Sequence, residues 1–379
     1  MLLYSNIAAQ DSLKTKRAFS DVVDFNGYLK FMQSSAFSND YLLTSSLIHN
    51  RLNFKIYAND KFTFKADFRN RMTWGNYVKE VPGFSEGFTA DNGLVDLSFT
   101  WVNDSSFIFN TTIDRLWAEY HTGKLAVKVG RQRINWGINY VWNPNDLFNA
   151  YNYFDFDYEE RPGTDAVRIQ YFTSGMSAID IGINPATEAE NAVYAAQYRF
   201  NIKTYDLQII GGYFHERITG GGGFAGNLWN SAIKGEMTYF GANDTADASF
   251  SAAFDYQYGF KNGINLLFSY LYNSAGSNSF TTNGQTSIFF AEPAANNLMP
   301  SKNTLFGDIS YTFNPLFTGD LGSMYTFGFD IVYIMPNLTF SLMENLDLNL
   351  LAQLFVAMKE IDGSTASLNY VYIRFKWSF

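Results

Sequence analysis

Residues 367–379 read SLNYVYIRFKWSF. As an extended segment this places Val371, Ile373, Phe375, Trp377 and Phe379 on one face, and Tyr370, Tyr372, Arg374, Lys376 and Ser378 on the other. One face is apolar and aromatic, the other is polar. A strand at a chain end frays in water unless something covers its apolar face. The reading of the whole chain turns on what that cover is.

Working back from this stretch, the same texture recurs as far as Asp24. Soluble domains of about 100 to 200 residues would divide 379 residues into two or three. No Pro-, Ser- or charge-rich linker marks a boundary, so a single repetitive domain is expected over 21–379 after a flexible segment, 1–20. Aromatic residues make up 18% of the chain, with 37 Phe and 25 Tyr, yet the mean hydropathy is only -0.14. A strand protein with apolar residues outside and polar residues inside is rich in aromatics and neutral in hydropathy at once. No stretch approaches the roughly 18 uncharged apolar residues of a membrane-spanning helix; even MYTFGFDIVYIMPNLTF (324–340) is broken by Asp330 and Pro336. The absence of cysteine agrees with an envelope location. A net charge of -9 argues against a nucleic-acid partner. The opening MLLYSNIAAQDS resembles the tail of a secretory signal peptide, with Ala8 and Ala9 before Gln10, but lacks the basic region and the full apolar core.

Individual strands follow. Phe25, Gly27, Leu29 and Phe31 oppose Asp24, Asn26, Tyr28 and Lys30. Ile48, Asn50, Leu52, Phe54 and Ile56 oppose His49, Arg51, Asn53 and Lys55, with the polar Asn50 out of pattern. Phe62, Phe64, Ala66 and Phe68 oppose Thr63, Lys65, Asp67, Arg69 and Arg71. Short turns are expected at 59–61, 121–124, 174–176, 201–203, 228–231, 261–263, 314–316 and 343–345, rich in Asn, Asp, Gly and Pro. Between them lie long connections near 75–110, 138–164 and 274–302. Short turns alternating with long loops predict an all-β, antiparallel transmembrane barrel of about 18 strands, or about 16 if 219–228 and 316–342 are divided differently. Closure satisfies every strand edge in lipid and covers the terminal strand.

Two resemblances agree with this. A final strand ending in Phe379, with Val371, Ile373, Phe375 and Trp377 at alternate positions, resembles the C-terminal signal of bacterial outer-membrane barrels, which implies recognition of Phe375, Trp377 and Phe379 by the barrel assembly machinery. The pieces Gly130-Arg131-Gln132, Asn135-Trp136-Gly137 and Asn143-Pro144-Asn145-Asp146 resemble a motif of porin-like outer-membrane proteins of Gram-negative bacteria. That resemblance implies a channel-like barrel in the bacterial outer membrane without naming a substrate.

The connection 138–164 carries Asp146, Asp155, Asp157, Glu159 and Glu160 among Tyr and Phe. It is too aromatic to float in water and is expected to fold into the lumen. Neighbouring strands supply Arg51, Lys65, Arg69, Arg71, Arg115, Arg131, Arg133 and Arg168, with Lys55 beside them, as one basic wall. A basic wall facing an acidic loop selects ions and polar solutes; alternatively, Arg131, Arg133 or Arg161 pin the loop by clamping carboxylates, and both can hold together. The expected function is passive diffusion of small polar or charged solutes or ions through an outer-membrane channel. The alternative is a plugged barrel that partners a surface lipoprotein or an export complex.

No enzyme is expected. GGGGFAG (220–226) lacks the phosphate-loop lysine and following helix. His49, His121 and His215 are too scattered for a zinc motif, so neither metal nor cofactor is expected. No local Ser/His/Asp signature appears, and Trp74, Trp136, Trp142 and Trp377 read as interfacial anchors or loop packing.

Overall fold

The computed structural model describes residues 22–37, 41–150, 160, 162–279, 294–358 and 369–379. The alternating segments form strands β1 (Val23–Phe37), β2 (Leu42–Tyr57), β3 (Phe62–Trp74), β4 (Ser98–Asp104), β5 (Phe107–Thr122), β6 (Leu125–Gln132), β7 (Thr164–Ser174), β8 (Ser177–Asn184), β9 (Val193–Ile202) and β10 (Tyr205–Phe214). They continue as β11 (Arg217–Leu228), β12 (Ser231–Phe240), β13 (Ser249–Gly259), β14 (Ile264–Asn273), β15 (Asn303–Asn314), β16 (Phe317–Thr326), β17 (Ile331–Met343), β18 (Leu346–Ala357) and β19 (Asn369–Ser378). Each pairs antiparallel with its neighbours, and β19 returns to β1 in register from Tyr28 opposite Ser378 to Phe37 opposite Asn369. The cover sought for the terminal strand is therefore β18 on one edge, β1 on the other, and a lipid-like exterior on its face.

The closed ring has 18 strands. The additional strand, β4, pairs only with β5, opposite Phe107–Thr112, above the place where β6 has ended opposite Leu116. The turns expected at 59–61, 121–124, 174–176, 201–203, 228–231, 261–263, 314–316 and 343–345 all join consecutive strands at one end of the barrel. The ambiguous stretch 316–342 is two strands, β16 and β17, joined by a turn in which Gly328 and Asp330 have φ of 82° and 52°. Residues 219–228 remain within one strand, β11. Pro336 has no N–H to give, and the β17–β18 pairing skips from Ile334 to Asn337 around it.

Exposure alternates along the strands. Val371, Ile373, Phe375 and Trp377 of β19, and Phe379 after it, are exposed while the residues between them are half-buried. Phe25, Phe64, Ile209, Phe268 and Ile309 repeat the pattern elsewhere. Such a continuous apolar exterior suits lipid rather than water. Asn50, the polar residue out of pattern, is bonded across the wall: its Nδ2 donates to Tyr28 O at 3.2 Å, and its Oδ1 accepts from Asn70 at 3.1 Å. Thr111 Oγ1 donates to Asn70 Oδ1 at 2.8 Å, and Trp101 Nε1 donates to Thr111 Oγ1 at 2.9 Å. The outward polar groups satisfy one another, as an apolar exterior requires.

Candidate functional site: a lumen divided by an inserted segment

After Gln132 the chain leaves the wall and crosses the lumen. Gly130 makes the departure possible: its φ is 115°, and a Cβ there would sit 2.2 Å from Leu116 O. Gln132 Nε2 ties the exit point to Ala166 O at 3.0 Å. Trp136 is buried edge-on against Phe148 at a centroid distance of 5.0 Å, and its carbonyl accepts Gln208 Nε2 of β10 at 2.9 Å. Gly137 leaves room for Asn143, whose Oδ1 would lie 2.3 Å from a Cβ at that position. Asn145 donates through Nδ2 to Gly222 O at 2.9 Å and accepts from Thr238 Oγ1 at 2.6 Å. The bare β11 wall at Gly221 and Gly223 is what lets Asn145 approach.

Two buried carboxylates hold the far end of the crossing by its backbone. Glu236 on β12 accepts the N–H groups of Ile138, Asn139 (2.9 Å) and Asn145 (3.0 Å). Asp255 on β13 accepts those of Tyr140 and Val141 (3.4 Å), together with the Ser269 hydroxyl. Lys234 Nζ lies 3.4 Å from the Tyr140 ring centroid, and burial beside Asp255 pushes the Tyr140 phenol above its ordinary pKa. Past this point Val141 and Trp142 join Leu271, Leu298, Met299, Phe306 and Met324 in an apolar cluster inside the barrel. That side of the lumen is filled.

The basic residues gather on the opposite side. In β5 the register slips so that Asp67 faces Arg115 while Phe68 faces Ile113, leaving Asp114 as an inserted residue. Asp114 is the hub of the group: Arg51 and Arg69 (3.0 Å) both donate to it, and Arg115 donates to its backbone carbonyl at 2.7 Å. Arg51 also reaches Asp67 at 3.2 Å and Glu160 at 3.7 Å, and Lys65 reaches Asp67 at 3.1 Å. Arg131 binds Asp165 at 2.8 Å, Asp91 at 2.5 Å and Val95 O at 2.6 Å. It thereby clasps the segment leading into β4 onto β7. Arg168 pairs with Asp180 of β8, and Arg71 lies over the Phe88 ring at 4.1 Å. Arg133 is exposed beside the start of the crossing.

Among the described residues, the carboxylates paired with these arginines include Asp67, Asp91, Asp114, Asp165 and Asp180 of the wall and the first long connection, and Glu160 of the inserted segment. Asp146 is fully buried, and its Oδ1 accepts the Trp136 N–H at 3.4 Å. Of the acidic residues expected on the loop, Glu160 reaches the group; Asp155, Asp157 and Glu159, like Arg161, lie outside the described residues. Sequence reasoning missed Asp67, Asp91, Asp114, Asp165 and Asp180 as partners, and Glu236 and Asp255 as anchors. For Asp67, Asp180, Glu236 and Asp255 the available signal was a place at polar-face positions of alternating strands, Asp67 between Lys65 and Arg69 being the plainest; Asp91 lies in a connection and Asp114 in a bulge, where alternation gives none.

Between the arginine group and the inserted segment lies a cavity of about 1140 Å³ lined by Arg69, Arg71, Arg131, Asp91, Phe148 and His215, among others. It lies toward the end of the barrel that bears the long connections. The first of these holds two short helices, Asn76–Glu80 and Phe84–Thr89, and the second brings Phe84 and Phe88 to the cavity rim, stacked 5.6 Å apart. Among the described residues no cluster of three or more His, Cys, Asp or Glu side chains could hold a metal ion.

No protein-family model matches the sequence, and no curated protein is similar to it. Solved structures do share its architecture. OccAB4 of Acinetobacter baumannii is 11% identical with a TM-score of 0.59, over 94% of this chain and 98% of that one. The outer-membrane protein OpdK of Pseudomonas aeruginosa is 10% identical with a TM-score of 0.60, over 95% and 99%, and has also been crystallised with vanillate. Identities this low speak to architecture alone, and on that ground the chain has the fold of outer-membrane porins, a closed antiparallel β-barrel of 18 strands.

Proposed function

We propose that this protein is a channel of the Gram-negative outer membrane through which small polar or charged solutes diffuse. The path runs along the side of the lumen between the arginine group and the inserted segment. The observation that carries the reading is the off-centre cavity, bounded on one side by Arg69, Arg71 and Arg131 and on the other by Phe148. Charged side chains fixed at a narrowing select among solutes by charge. Anions with an apolar body suit a cavity that has Arg69 and Arg71 beside Phe84, Phe88 and Phe148. The vanillate complex of OpdK supports that preference.

In this reading Arg69 and Arg71 meet the solute, and Arg51, Lys65, Arg115 and Arg168 set the field behind them. Arg131 holds the wall together, and Arg133 guides entry. Phe375, Trp377 and Phe379 serve recognition by the assembly machinery. Single-channel recording of the refolded protein in a salt gradient tests the proposal. Discrete steps are expected, with a reversal potential that moves toward cation preference in Arg69→Glu/Arg71→Glu.

The filled β10–β15 side of the lumen, where Ile134, Trp136 and Asn145 are sealed from solvent, favours a second reading: a plugged barrel that docks a surface lipoprotein or export partner. A folded barrel that never conducts would favour it over the channel.

A further inference from the structure

The inserted segment is attached to the far wall chiefly through its own backbone, and the acceptors are two carboxylates. Five N–H groups in 138–145 converge on Glu236 and Asp255. An ionised carboxylate offers four lone-pair sites and no proton. A protonated one has a hydroxyl that must itself donate, and here its surroundings are donors. Three N–H groups face Glu236; two N–H groups and the Ser269 hydroxyl face Asp255.

We propose that Glu236 and Asp255 form a latch whose ionisation holds the segment across the lumen, so that acidification releases it and enlarges the aperture. The latch as a gate rests on the channel reading; the docking itself does not. The charged and titratable groups facing the pair are Lys234 on β12 and, from the segment, Asp146 and Tyr140. Opposite Glu236, β11 presents Gly223 and β13 presents Ala253; opposite Asp255, β14 presents Ser269. Lys234 is opposite in sign to both carboxylates, and Asp146 has the same sign as Glu236. Nothing else of opposite sign among these neighbours would keep the latch closed once a proton arrives.

The chain has no cysteine, so a single thiol can report on the segment. Leu147 is buried with it, 4% exposed. Maleimide labelling of Leu147→Cys at pH 7 is expected to be about tenfold faster when Glu236→Gln is added, since each lost hydrogen bond to a charged group is worth about a factor of ten or more. It should be faster still with Glu236→Gln and Asp255→Asn together. Equal rates in barrels that retain heat-modifiable migration would overturn the latch.

Unsubstituted protein gives an independent check. Acrylamide quenching of Trp136 and Trp142, 2% and 3% exposed, should rise between pH 7 and about pH 4, the ordinary carboxyl range, and unchanged quenching would also overturn it. If the channel reading holds, conductance should rise over the same interval in the wild type and stay flat in the doubly neutralised variant. A wild type that never conducts would defeat the channel reading, while the labelling rates still decide the latch.

Discussion

Arg51 and Lys65 show how differently two residues of one expected basic wall behave. Arg51 is fully buried and binds Asp67 and Asp114, both nearly sealed from solvent, whereas the Lys65 side chain is 31% exposed. Removing one partner of a buried ionic group leaves uncompensated charge, so Arg51→Met should cost about 3 to 5 kcal/mol. Lys65→Met should cost under about 1 kcal/mol, as an exposed pair does. Urea midpoints of the refolded barrels compare the two, and equal costs would mean that the Arg51 group is wetter than its geometry indicates.

His215 gives a pH prediction at the same scale. It lies in the β10–β11 turn stacked on Phe214 at 3.9 Å, and burial holds its imidazole below the ordinary pKa. The unfolded chain therefore binds the proton first, and stability falls as pH drops from about 7 to about 5. His215→Asn, which tolerates the φ of 49°, should show a smaller loss in urea midpoint between those pH values. An identical pH slope in the two proteins would sink the assignment.

Among elements, β11 and β5 do the positioning. The strand with the glycine run is a wall without side chains. A Cβ at Gly221 would meet Asn145 Oδ1 at 2.8 Å, Thr238 Oγ1 at 2.7 Å and Met237 O at 2.7 Å. Gly221→Val should therefore dislodge the inserted segment and raise acrylamide quenching of Trp136 and Trp142 without unfolding the barrel; quenching like that of the wild type would show that Asn145 has other room. The run GGGGFAG was legible as barrel strand or loop rather than nucleotide loop, but its purpose was not, because the residue it accommodates lies more than seventy positions away. The β5 bulge was illegible for a related reason. Asp114 and Arg115 are adjacent, so strict alternation sends them to opposite faces, and only the register against β3 turns both toward the lumen side.

For the whole molecule, closure is the controlling fact. β19 completes the ring against β1, and its final residue exchanges backbone hydrogen bonds with Gly27 at 2.9 and 3.0 Å while Phe379 packs near Phe25 at 5.9 Å. Deleting Phe379 should lower the yield of heat-modifiable barrel and its urea midpoint, and an unchanged midpoint would confine its role to assembly. An 18-strand ring is wide enough to enclose more than side chains, and among the described residues the inserted segment packs against the β10–β15 wall. In the proposed channel, solutes would pass on the arginine side, which is why the selectivity test falls on Arg69 and Arg71 and leaves the structural clasp at Arg131 intact.

The sequence by itself determined the barrel: period-two alternation, an aromatic exterior and turns rich in Asn, Gly and Pro are local properties, each written into a few consecutive residues. It also marked the segment after Gly130 as distinctive. Only the tertiary structure decided which charges meet. Asp91 to Arg131, Asp114 to Arg51 and Glu236 to Asn139 span from forty to nearly a hundred positions. Pairing across a closed lumen depends on register, bulge and the path of an irregular segment, none of which has a local sequence period.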